Sequence, residues 1–316
     1  MIQGIDSITY STDAWNKSQQ FFTDWGLTQT HATGQLLRFE TLNASAVEVR
    51  RPDDASLVAP IEAGPTLRRV TWGVTTQCEL ARLGALMQGE ASYIKTDVGF
   101  AVCDPHGLQL CFQLSQKKPV SVKGSPSNPY GAEQRINQPS PVYDRATPVE
   151  IGHVVLFSDC LLEAEAFYHR LGFVTSDRYP NRGVFMRCAA VGGHHDVFLL
   201  QLPNKPKGLN HVAFTVRDIH EVFGGGLAMS RCGWKTQLGP GRHPISSAYF
   251  WYFENPCGGL IEYNADEDHL TADWQPREHT PSATAFAEWA IDGGIDGHTR
   301  RQPNVEASGK FLTEKR

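Results

Sequence analysis

Leu209-Asn210-His211-Val212-Ala213-Phe214-Thr215-Val216 is an apolar, β-rich run, and its pattern occurs earlier as Leu67-Arg68-Arg69-Val70-Thr71-Trp72-Gly73-Val74. The match extends in both directions. Downstream, Asn255-Pro256-Cys257-Gly258-Gly259-Leu260-Ile261-Glu262-Tyr263 parallels Asp104-Pro105-His106-Gly107-Leu108-Gln109-Leu110-Cys111-Phe112. Upstream, His153-Val154-Val155-Leu156, Asp159, Phe167-Tyr168 and Gly172 repeat the spacing of Ser7-Ile8-Thr9-Tyr10, Asp13, Phe21-Phe22 and Gly26. The chain reads as two halves, each of two similar units, and a period of this kind marks internal duplication.

Each unit reads as a strand, a helix and three strands, an α+β arrangement. In the third unit residues 153–157 form the first strand. Asp159 is placed as the helix N-cap, with Leu162, Ala166, Phe167 and Leu171 on one apolar face and Gly172 as the stop. Strands are expected over 184–188 and 197–201, and in the fourth unit near 211–216, 248–253 and 259–263. Residues 116–148 include Gly124-Ser125-Pro126-Ser127-Asn128-Pro129 and Pro139-Ser140-Pro141. That is linker composition, and its length suggests packing over one domain with a part in the pocket or in assembly. The expected organisation is a domain over 1–115, the linker, a second domain over 149–265, and an extension over 266–316. The extension is expected to hold a helix around 283–291 and a terminal tail.

The chain has 316 residues, 41% hydrophobic and 20% charged, which suits a folded core and excludes general disorder. A net charge of −5 and a pI near 6.2, with signs mixed along the chain, leave no electrostatic footprint for nucleic acid. No run approaches the ~20 apolar residues of a membrane span. Met1-Ile2-Gln3-Gly4-Ile5-Asp6 lacks the basic and apolar regions of a secretory signal. The seven cysteines form no CxxC pair and mostly sit in apolar runs such as Leu110-Cys111-Phe112. Buried free thiols in a reducing, cytoplasmic setting are therefore expected.

The duplication singles out three residues. His153 and His211 begin matching strands, and Glu262 lies in the last strand of the fourth unit. Taken alone, a strand histidine is usually core or surface, and a glutamate at a strand end is usually solvated. Their counterparts in the first half are Ser7, Arg69 and Cys111, which make no comparable set. One half thus keeps three ligand-type side chains where the other keeps none. Two imidazoles and a carboxylate on rigid strands are the facial set used for non-haem Fe(II), which leaves open positions for substrate and O₂.

Further motifs stand in order around these three: Gly152-His153-Val154-Val155, Phe167-Tyr168-x-x-Leu171-Gly172-Phe173, Gly193-His194-His195, Gly241-Arg242-His243 and Tyr249-Phe250-Trp251-Tyr252-Phe253. With the two strand motifs quoted first, the chain resembles the type I extradiol ring-cleaving dioxygenases of the vicinal oxygen chelate superfamily, over residues 4–265. The resemblance implies four βαβββ modules paired into two domains of incomplete β-barrel, and a homo-oligomer. It also implies a catechol-like diol and O₂ as substrates, with Fe(II), or Mn(II) in its place, as the metal. Position by position, it makes His153, His211 and Glu262 the metal ligands and His195, rather than His194, the acid–base residue. Histidine suits that task because imidazole exchanges protons near neutrality. His243 matches a pocket histidine, Tyr252 a tyrosine contacting the diol oxygen, and Phe185 a wall of the ring pocket. For Tyr252 and Phe185 an ordinary core position is the competing reading.

One departure bears on substrate. Relatives often carry Asn and Asp after the histidine matching His243, whereas here Pro244-Ile245-Ser246 follows. Two other functions compete: a glyoxalase-like isomerase or lyase using the same metal face without O₂, and a metal-free binding module. Four units with a single metal set speak against the first, and the retained triad speaks against the second.

Overall fold

The computed structural model describes residues 1–292; the terminal tail of the sequence reading lies outside the described residues. The first half runs β1 (Ile2–Ser11), α1 (Trp15–Asp24), β2 (Thr28–Ala32), β3 (Leu36–Glu40), β4 (Ala46–Arg50), β5 (Thr66–Val74), α2 (Gln77–Met87), β6 (Ile94–Thr96), β7 (Gly99–Cys103) and β8 (Gln109–Leu114). The second runs β9 (Glu150–Phe157), α3 (Leu161–Arg170), β10 (Val174–Tyr179), β11 (Gly183–Arg187), β12 (Gly192–Gly193), β13 (Val197–Leu200), β14 (Gly208–Thr215), α4 (Ile219–Arg231), β15 (Thr236–Arg242), β16 (Tyr249–Glu254) and β17 (Leu260–Ala265). After it come β18 (His269–Leu270), β19 (Arg277–Glu278), α5 (Ala283–Phe286) and β20 (Trp289–Asp292).

The four units are βαβββ modules, apart from the short β12 inserted in the third. In every module the first strand pairs in parallel with the last, and the two modules of each half join by antiparallel pairing of their first strands. The result is one eight-stranded and one ten-stranded sheet, each with two free edges and so not closed into a barrel. One continuous apolar core runs through both halves. At their junction Trp25 stacks on Tyr263 at 3.6 Å, and the Tyr263 hydroxyl donates to the Trp25 carbonyl at 2.7 Å.

The duplication is visible in how the helices end. Gly26 and Gly172 stop α1 and α3 with φ of +100° and +98°. At each, the glycine N–H and the next N–H bond back to the last turn, Leu27 to Phe22 and Phe173 to Tyr168. This left-handed cap favours glycine because it carries no Cβ penalty.

Several expectations need correction. Asp159 does not cap α3; the Ser158 hydroxyl accepts the Cys160 N–H instead, and Thr12 serves Ala14 in the same way ahead of α1. The buried face of α3 is Leu161, Ala164, Glu165, Phe167 and Tyr168, while Leu162 and Ala166 face solvent. Beginning the helix at Leu161 sets that phase. The helix expected around 283–291 is only one turn, because residues 289–292 instead extend the sheet edge, with Ala290 opposite Gly241. Within the described residues, the extension returns to the second sheet through β19 beside β10 and β20 beside β15. All seven cysteines are free, but only Cys188 and Cys257 are buried. The linker carries no strand or helix and lies over α4, where Ser125 N–H donates to Asp218 and Thr147 N–H to Glu221. None of it lines the cavity described next.

Candidate metal centre

Sheet register builds the site. His153 on β9 sits opposite Ala213 on β14, Ala213 opposite Glu262 on β17, and Glu262 opposite Tyr252 on β16. His211, two residues before Ala213, shares its face because strand side chains alternate. The first half repeats this row: Ser7 sits opposite Thr71, and Thr71 opposite Cys111. The structure thus places Ser7, Arg69 and Cys111 where the second half has His153, His211 and Glu262.

The three candidate ligands converge. His153 Nε2 and His211 Nε2 lie 3.2 and 3.1 Å from Glu262 Oε2, and 3.2 Å from each other. All three side chains are buried. Burial lowers the His153 pKa to about 4, with the neighbouring His195 adding to the effect, and it lowers His211 as well. Both rings are therefore neutral near pH 7, as ligation requires. Asn210 Oδ1, 2.8 Å from His211 Nδ1, fixes that tautomer and leaves Nε2 a lone pair facing Glu262.

Neither Glu262 oxygen receives a well-formed hydrogen bond, although both are fully buried. A buried carboxylate left so is costly unless a cation completes it. Three donors about 3.1 Å apart also match one face of an octahedron of radius about 2.2 Å, near the distance for nitrogen and carboxylate ligands of a divalent ion. The residues present fit such an ion.

His195 and His194 part company. His195 lines the cavity, its ring 4.0 Å from that of His153, and its Nδ1 lies 3.0 Å from Glu267 Oε1. His194 is fully buried with Nε2 held by Asp177 at 3.0 Å, and its Nδ1 faces His195 Nδ1 at 3.3 Å. His243 Nδ1 donates to the Phe286 carbonyl at 2.6 Å, and its Nε2 lies 3.1 Å from the Tyr252 hydroxyl. Burial, with Glu262 nearby, raises the Tyr252 phenol well above its usual pKa, so it stays protonated. Phe185 stacks on Phe198 at 3.9 Å to form one wall. His153, His195, His211, His243, Tyr252, Phe185 and Phe198 line one open cavity.

Sequence reasoning missed Glu267, Asn210, Asp177 and the wall residues Tyr179, Phe198 and Ile245. Asn210 precedes a candidate ligand directly and could have been read as its partner. Glu267 follows Asp266, whose φ of +63° turns the chain back beneath His195, and no pattern in the sequence announces that turn.

Residues 150–263 match the model of the Glyoxalase/Bleomycin resistance protein/Dioxygenase superfamily. Among curated proteins, the chain is 30% identical over 201 residues to metapyrocatechase 2 of Cupriavidus necator, covering 61% of this chain and 60% of that one. It is 23% identical over 197 residues to the metapyrocatechase of Geobacillus stearothermophilus, covering 58% of each. The matches thus span about three fifths of those relatives' length. The fold is also that of the Mn(II)-bound glyoxalase from Novosphingobium aromaticivorans, with a TM-score of 0.72 and 22% identity over 96% of this chain and 95% of that one.

Proposed function

We propose that this protein is an extradiol dioxygenase that opens a catechol-type diol beside its two hydroxyls and inserts both atoms of O₂. We assign Fe(II) to His153, His211 and Glu262, with Mn(II) the other ion this donor set accepts. Seven unpaired thiols support a reducing, cytoplasmic setting. One observation carries the reading: a buried carboxylate with no well-formed hydrogen bond, faced by two neutral imidazoles that line an aromatic-walled cavity. The metapyrocatechase names of the matched relatives support it.

A bound ion would supply Lewis acidity toward a chelated diol and an electron path from the diol to O₂. The ring gives up all four electrons that reduce O₂, so no further reductant is needed. His195 carries its proton on Nδ1, between His194 and Glu267, and presents Nε2 as the base for a diol hydroxyl. His243, with Nδ1–H spent on the Phe286 carbonyl, accepts the Tyr252 hydroxyl at Nε2. Transfer of the second diol hydroxyl's proton to that Nε2 would free the Tyr252 O–H to turn toward the diol oxygen it left. The Phe185 and Phe198 rings hold the arene and keep water from it.

The test is anaerobic reconstitution with Fe(II) or Mn(II), metal analysis, and then a panel of catechols with O₂. Bound metal and a yellow ring-opened product are expected. His195→Gln should keep its metal and turn over about 10²–10⁴-fold more slowly. A protein that binds no metal and opens no diol ends the proposal. Product formed equally well without O₂ would move the assignment to an isomerase or lyase.

A further inference from the structure

The motif that sets this chain apart, Pro244-Ile245-Ser246, ends inside the cavity. Ser246 and Ser247 both take positive φ, +78° and +62°, a conformation that side chains other than glycine seldom adopt. The turn is closed by the His243 N–H donating to the Ala248 carbonyl and tied down by the Asp268 N–H donating to Ser246. So held, Ile245 is 5% exposed and packs with Val155, Tyr179, Phe185 and Phe198 in a hydrophobic cluster separate from the main core. Leu200 completes that cluster from its edge. A satellite cluster at a cavity wall is an apolar binding surface rather than a folding core.

Beside Ile245 the cavity wall carries one polar side chain, the uncharged Ser246 hydroxyl; the remaining polar groups sit at the candidate metal centre or are already engaged. Tyr179 spends its hydroxyl on the Ala285 carbonyl at 2.9 Å. The histidines, Glu262 and Tyr252 gather at the candidate metal centre. Among the described residues, no lysine or arginine lines the cavity. An anionic substituent carried into the Ile245 end would lose its water and find no cation there, whereas an alkyl or aryl group would be buried against matching surface.

Resting on the reading of the site as one for aromatic diols, we infer that its substrate is an uncharged diol with an apolar ring substituent seated against Ile245 and the Phe185/Phe198 pair, and that ring-borne carboxylates are rejected. Ile245 and Leu200 are then specificity-determining residues.

The test compares 4-propylcatechol with 3-(3,4-dihydroxyphenyl)propanoate, two diols of matched chain length. Anaerobic calorimetric binding to the metal-loaded protein and kcat/KM with O₂ are both read. The propyl compound should be favoured about 100-fold or more in each. Leu200→Arg, at a half-buried position, and Ile245→Arg supply the missing cation from two sides. In whichever variant folds, the discrimination should narrow at least about tenfold. Comparable binding and turnover of the two diols by the native protein overturns this inference while leaving ring cleavage intact. Unchanged discrimination in a folded arginine variant overturns it too, since shape and not charge would then exclude the anion. If neither diol binds or is opened, the reading of the site and the inference fall together.

Discussion

His195 Nδ1 and Glu267 Oε1 stand 3.0 Å apart, and the His194 Nδ1 stands 3.3 Å from the same His195 nitrogen. Asp177 accepts the proton on His194 Nε2 and so leaves His194 Nδ1 a lone pair. Both neighbours of His195 Nδ1 are then acceptors. The ring has one consistent neutral tautomer, with its proton on Nδ1 bonded to His194 and beside the Glu267 carboxylate, and its lone pair toward the cavity.

That arrangement makes Glu267 a positioning residue with a testable cost. Glu267→Ala should lower kcat by about 10–100-fold while metal content and KM change little, in line with other groups that orient a site histidine. Glu267→Asp, which keeps the acceptor, should recover part of the loss. Steady-state kinetics beside metal analysis decides it. Native kcat in Glu267→Ala would show that His195 needs no such partner.

Glu262 allows a thermodynamic test that does not depend on turnover. Without metal it is a buried charge with no well-formed hydrogen bond at either oxygen, and such a group opposes folding. Glu262→Gln removes that charge at nearly constant volume. The metal-free variant should match or exceed the metal-free parent by about 0–2 kcal/mol. Adding Mn(II) should raise the Tm of the parent alone, because an ion bound only to the folded state stabilises it by mass action. Thermal unfolding with chelator and with excess Mn(II) measures both effects. An equal Mn(II) shift in the variant would remove Glu262 from the ligand set.

These residues were not equally legible in the chain. His153, His211 and Glu262 stood out because strands hold residues in fixed register, so a duplicated sequence exposes Ser7, Arg69 and Cys111 as counterparts at the same places. Module order was readable for the same reason. Glu267 was not, since it depends on one left-handed residue, Asp266, in a polar stretch without period. The face of α3 was misjudged because a single-residue error in where a helix begins rotates it by about 100°. The expected helix around 283–291 runs past Trp289 because nothing in so short a run reveals that Thr236–Arg242 leaves a sheet edge to be filled.

Asp177 ties the extension to the site and predicts how stability responds to acid. Its carboxylate is fully buried and accepts from the Arg277 backbone N–H at 2.7 Å, from the Arg277 guanidinium at 2.6 Å and from His194. Burial alone would raise its pKa, but the His194 and Arg277 hydrogen bonds outweigh it and hold the group well below the ordinary carboxylate range. A depressed folded pKa means the unfolded chain takes up the proton first as acid is added. The contribution of Asp177 is therefore complete above its unfolded pKa of about 3.9 and is lost as pH falls below that toward the folded value. Asp177→Asn should cost about 1.5–3 kcal/mol at pH 7, the scale of hydrogen bonds to a buried charge whose partner is half exposed. The gap between the two proteins should hold from pH 7 to about pH 5 and close progressively below about pH 4. Urea unfolding of both across that range measures the gap directly, and a difference that stays constant down to pH 3 would mean Asp177 carries its proton at every pH or contributes by shape alone.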